Sequence, residues 1–129
     1  MAYGNLKFDT LITSDSKNTS VEKSLDTSYI FNGVAKAWCF WDQSDQSADD
    51  SFNVGSITDL ATGQSALSLS NAMSSVNYTG VGGQSGSTTI YNVVAGPNTT
   101  SATFVRMINS SGTDTDTDNC QQVLNGDVA

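Results

Sequence analysis

From Gly33 to Trp41 the chain reads G-V-A-K-A-W-C-F-W, and its side chains sort into two parities. In an extended strand successive side chains alternate, so Ala35, Ala37, Cys39 and Trp41 share one face and Val34, Lys36, Trp38 and Phe40 the other. Bulky groups on both parities predict a strand covered on both sides. One face belongs to the domain's own core; the other meets a second layer or another subunit.

The same reading extends along the chain. Leu6, Phe8 and Ile12 fall on one parity between Asn5 and Thr13, with Leu11 on the other, which predicts a strand. From Ser14 to Asn32 the sizeable apolar groups are Val21, Leu25, Tyr29, Ile30 and Phe31. Too few to make a core, they predict that residues 1–32 form an arm that docks on a neighbouring copy. Residues 33–129 form the domain. Gln43–Asp50 reads as an acidic, Ser-rich loop, Ser51–Thr58 as a strand, and D59-L-A-T-G-Q64 as a hairpin turn. Gln64–Ser70 alternates with Leu67 and Leu69 inward, and residues 71–78 bend into a strand ending at Val81. G80-V-G-G-Q-S-G86 reads as a flexible connector, Thr88–Val94 as a strand, Ala95–Asn98 as a turn, Ser101–Ile108 as a strand, Asn109–Asp118 as a loop, and Cys120–Leu124 as the final strand. Short strands separated by turn signals predict an all-β fold, an antiparallel, jelly-roll-like β-sandwich with an extended N-terminal strand or arm.

Composition narrows the chemistry. The 129 residues carry 5 Lys and Arg against 13 Asp and Glu, a net charge of −8, with no histidine. An acidic surface repels phosphate backbones, so no nucleic-acid partner is expected. The missing imidazole removes the commonest general base and zinc ligand. Asp49 and Asp50 are adjacent and point apart in an extended chain, which does not make the facing pair that sugar hydrolysis needs. The chain is therefore expected not to be an enzyme and to need no cofactor. The N-terminus reads as having no secretion signal, and no run approaches the roughly 18 apolar residues of a membrane span.

Four further features have structural and functional readings. G80-V-G-G-Q-S-G86 is not followed by the Lys-Ser/Thr and helix of a phosphate loop. Asp114, Asp116 and Asp118 are spaced like the start of a calcium loop, but Asn119 and Asn125 stand where the sixth-position Gly and twelfth-position Glu belong, so a solvated acidic loop is favoured over a looser calcium site. Cys39 and Cys120 have no metal-ligand spacing; buried thiols are the favoured reading, with a cross-strand disulfide left open. Trp38 and Trp41, on opposite parities, do not make a joint sugar-stacking platform, which favours packing roles for both rings.

The succession G33-V-A-K-A-W-C-F-W-D42, D50-S-F-N-V-G-S-I-T-D59 with A61-T-G63, L67-S-L-S-N-A-M73, N77-Y78, A102-T-F-V-R106 and N109-S-S-G112 resembles a family of β-rich virion proteins of bacteriophages, especially aquatic ones, described as tail-fibre-like. N5-L-K-F-D-T-L-I-T13 is similar to the N-terminal strand of that family. Cys39 stands where the family pattern has an aliphatic residue, Phe40 where it has a smaller or polar one, and Ser74 where it has proline. The bulky Phe40 argues for a contact surface on its face. The resemblance implies a virion structural protein assembled in the host cytoplasm, a tail-fibre or tail-appendage component acting in assembly and host attachment. Its implied partners are its own copies, as a homotrimer, other virion proteins and a host-surface glycan. Leu6, Phe8, Ile12, Trp38 and Phe40 are the expected interface residues. A capsid decoration protein and a carbohydrate-binding module are the alternatives.

Overall fold

The computed structural model describes residues 10–13, 23–27, 33–85 and 91–129. The chain divides into two compact units, Met1–Val34 and Ala35–Ala129. In the first, β1 (Thr10–Thr13) pairs antiparallel with β2 (Lys23–Asp26), Thr10 facing Asp26 and Ile12 facing Ser24. The rest of the expected Asn5–Thr13 strand, with Leu6 and Phe8, lies outside the described residues.

The second unit is an antiparallel β-sandwich, as the sequence pattern led us to expect. Its strands are β3 (Ala37–Asp42), β4 (Ser47–Phe52), β5 (Val54–Ala61), β6 (Gln64–Leu69), β7 (Thr79–Gln84), β8 (Tyr91–Thr99), β9 (Ala102–Asn109) and β10 (Cys120–Asn125). One sheet has the order β4-β3-β10-β7, the other β5-β6-β9-β8. The four central strands supply the inner faces. Ala37, Cys39 and Trp41 of β3 and Cys120, Gln122 and Leu124 of β10 face Ser65, Leu67 and Leu69 of β6 and Thr103, Val105 and Met107 of β9. All are buried, and the period of two in burial follows from the pleat. Each large apolar side chain so buried stabilises the fold by roughly 1.5–3 kcal/mol. Trp41, with no exposed surface, sits among Leu67, Val105, Met107 and the two cysteines. A second cluster, Ala37, Leu69, Met73, Tyr78 and Leu124, closes the other end. There the Tyr78 hydroxyl donates to the carbonyls of Thr99 and Ala102, at 2.9 and 2.6 Å.

Four expectations need correction. The acidic loop is shorter than Gln43–Asp50: a turn occupies Gln43–Gln46, and Ser47–Asp50 already belongs to β4. β4 is an edge strand, where solvent accommodates carboxylates and where charge discourages pairing with foreign strands. The expected single strand Ser51–Thr58 is two strands in different sheets, broken at Asn53, whose φ of 57° turns the corner. The glycine-rich stretch is not a loose connector, since Thr79–Gln84 is strand β7. Its glycines reflect close approach of the sheets: a Cβ on Gly82 would stand 2.6 Å from Val93 Cγ1 and 2.9 Å from Ala95 Cβ, both on β8. Finally, Ala95–Asn98 is no turn, because β8 runs through it to Thr99 and the chain turns at Thr100 and Ser101. Pro97 is accommodated because β8 is an edge strand, whose outer side has no ladder to donate to.

Candidate contact surface

The outer face of the β4-β3-β10-β7 sheet is built by the residues alternating with the core. Trp38 and Phe40 of β3 lie here, half-buried, opposite in direction to Cys39 and Trp41. Register then fixes their neighbours. Trp38 faces Phe52 on β4 and Val123 on β10, and Val123 faces Val81 on β7. An apolar row, Phe52–Trp38–Val123–Val81, thus crosses all four strands. Phe52 is 54% exposed, Val123 42% and Val81 71%. The adjoining row is Asp50–Phe40–Gln121–Gly83. Cross-strand neighbours at about 4.5–5.5 Å between Cβ atoms form a continuous surface, so the apolar groups act as one patch.

Of the five interface residues read from the sequence, Trp38 and Phe40 share this face. Ile12 is on β1 and 60% exposed, while Leu6 and Phe8 lie outside the described residues. Phe52, Val81 and Val123 were missed. Their parity against the buried Cys120 and Leu124 marks Val123 as outward, but Phe52 and Val81 become its neighbours only through strand pairing.

The acidic run is a loop with Asp116 and Asp118 exposed, and its carboxylates also tie it to the sandwich. Asp114 accepts from Arg106 Nε at 2.8 Å through one oxygen and from Gln64 Nε2 at 2.8 Å through the other. Asp116 accepts the Gly63 N–H at 2.6 Å, and Asp118 accepts the Ser44 hydroxyl at 3.3 Å. The Met107 carbonyl receives the Thr115 N–H at 3.2 Å. The three carboxylates therefore bind the loop to the β3–β4 turn, the β5–β6 turn and β9, because alternate residues of an extended segment reach different neighbours. Gly63 is needed where the loop crosses it: its φ is 71°, and a Cβ would stand 2.6 Å from Thr115 N. The hydrogen bond from Arg106, then that from Gln64, holds the Asp114 carboxyl below the usual range. Among the described residues no group of three or more His, Cys, Asp or Glu gathers to hold a metal ion.

Cys39 and Cys120 are both free and buried. Cys120 faces Trp41 and Cys39 faces Gln122, so the two thiols are diagonal rather than opposite. Diagonal neighbours stand about 7–8 Å apart, beyond the span of a disulfide without backbone movement. Burial pushes the Cys39 thiol up to about 11, with Asp49 and Asp50 adding to it, and the Cys120 thiol up to about 12, with Asp42 and Asp118 adding to it. Both remain protonated at neutral pH and are poor nucleophiles.

A shallow groove of about 290 Å³ runs beside the corner between β4 and β5, lined by Gln46, Ala48, Ser51, Val54, Gly55, Ser56 and Ile57. It contains no charged or aromatic side chain. Among the described residues no helix is long and apolar enough to cross a membrane. No protein-family model, curated protein or solved structure matches the chain.

Proposed function

We propose that this chain is a non-catalytic structural module of a bacteriophage particle, a small tail-fibre or tail-appendage component that works by packing against other protein subunits. The carrying observation is the apolar row Phe52–Trp38–Val123–Val81 on an outer sheet face of a small, acidic sandwich. Apolar side chains gathered at a surface are favourable where another protein covers them and costly where water does. The resemblance of the sequence to tail-fibre-like virion proteins supplies the particle. The carboxylate-pinned loop suits a module that has to stay rigid, since it leaves little chain free to open.

Quantitative mass spectrometry of purified particles from a phage that encodes this chain tests the reading. The chain is expected at a copy number set by the tail appendages. Its absence from purified particles would refute the proposal, and a copy number matching the shell subunits would replace the appendage with capsid decoration.

A further inference from the structure

We infer that the outer face of the β4-β3-β10-β7 sheet is a self-complementary contact surface, and that its occupant is the same face of a second copy of this chain, related by a twofold axis parallel to the strands between β3 and β10. The inference deepens the assembly role proposed above by naming the surface and the partner. It rests on the order of side-chain sizes across the sheet. In one row they run Phe52, Trp38, Val123, Val81, two large rings followed by two small branched groups. Turning a second copy about this axis lays its β7 over β4 and its β10 over β3. Each ring then meets a small group: Phe52 lies over Val81 of the second copy, and Trp38 over Val123. In the next row Phe40 lies over Gln121, and Asp50 over Gly83.

An axis running across the strands does not have this property. It would set Phe52 against Phe52 while leaving Val81 over Val81, a collision at one edge and a gap at the other. Close packing without voids is what makes an apolar contact favourable, so the size gradient selects the first arrangement. Charge selects it too. Two copies of a chain of net charge −8 repel each other. Asp50 is the only carboxylate in these two rows, and the arrangement places it against Gly83, which has no side chain to bury it.

The area is adequate. The exposed parts of the two rows offer on the order of 300–400 Å² of apolar surface per copy, most of the non-polar part of a standard interface that buries about 800 Å² per partner. Polar neighbours such as Thr79 and Asn125, in the row beyond Val81 and Val123, provide a rim.

Sedimentation equilibrium of the full chain, run alongside acrylamide quenching of tryptophan fluorescence over the same concentration range, tests the inference. Trp41 is wholly buried, so a change in quenching reports Trp38. The expected result is a dimer, or another even-numbered assembly, whose formation shields Trp38. Val81→Glu should weaken association at least about tenfold by opposing a charge to Phe52 of the second copy. Its side chain points to solvent, so the melting temperature of the folded chain should barely move. Leu60→Glu, at an exposed position of the other sheet, should leave association unchanged. A monomer at all concentrations, an odd-numbered assembly, or an assembly indifferent to Val81→Glu would overturn the inference. The last of these would refute this face while leaving the assembly role standing, whereas absence from particles would refute the role without touching the face.

Discussion

Gly82 and Gly83 are neighbours in sequence with opposite surroundings. Gly82 points between the sheets, where an added methyl would meet Val93 and Ala95 at under 3 Å. Gly83 points outward, where a Cβ would meet the flexible end of Gln121, with Nε2 at 3.1 Å. Gly82→Ala should therefore cost about 1–3 kcal/mol, the usual penalty of overpacking, because two packed side chains on another strand would have to move. Gly83→Ala should cost much less, since Gln121 can swing aside. Thermal melts of the two variants check the contrast, and equal losses would show that β7 and β8 are not in close contact. Alternation shows that Gly80 and Gly82 share a face. It does not show that the opposing sheet comes so near, and so the run reads as a flexible connector until β7 is seen against β8.

At the scale of elements, Asn53 converts what looks like one strand into β4 and β5. Its Nδ2 donates to the carbonyls of Lys36 and Asn71, at 3.0 and 3.1 Å, and its Oδ1 accepts the Asn71 N–H at 2.7 Å. Its own carbonyl receives the Ser70 N–H at 3.1 Å. Asn tolerates the left-handed region better than other residues with a Cβ, which is why it can carry both the bend and the bonds. Asn53→Ala loses both and should destabilise by roughly 2–3 kcal/mol, at about 1 kcal/mol per net hydrogen bond plus the backbone strain. Asn53→Gly keeps the φ and loses only the bonds, so it should fall between Ala and wild type in urea unfolding. A glycine variant as unstable as the alanine one would mean that backbone strain has no part in the difference. The sequence reads here as one strand, Ser51–Thr58, because a corner between sheets needs only one residue of unusual φ, and a lone asparagine is a weak signal of it.

For the whole molecule, the titrating groups set opposite limits on stability. Asp114 has a folded pKa below the ordinary 3.8. Its contribution is complete above that value and is lost as pH falls through the lower, folded one, because the unfolded chain takes up the proton first. Arg106→Met should lower stability at neutral pH, and the gap to wild type should close in acid. The thiols act at the other end. An unfolded cysteine ionises near 9.0, whereas the folded ones are held up to about 11 and about 12. The folded state thus holds its protons longer, and stability should fall as pH rises from about 9. Urea midpoints measured from acid to alkaline pH check both limbs, and a flat alkaline limb would mean that the thiols are not desolvated. The acidic run could be read from the sequence as a loop. Its partners could not, because Arg106, Gln64, Gly63 and Ser44 come to it from three separate places in the chain.

Side-chain parity and turn spacing along the chain were enough to read an all-β sandwich and to group several core side chains on common faces. A strand has a period of two, so parity puts Cys39 with Trp41, Leu67 with Leu69, and Cys120 with Leu124 on common faces, and Leu67 and Leu69 read as inward. It also placed Trp38 and Phe40 on the face opposite Trp41. Which strands lie side by side, and with that which residues neighbour those two rings, comes from the folded arrangement. Phe52, Val81 and Val123 are far apart in the chain and join one row because antiparallel pairing sets residues opposite each other by register, a relation between strands that no local pattern records.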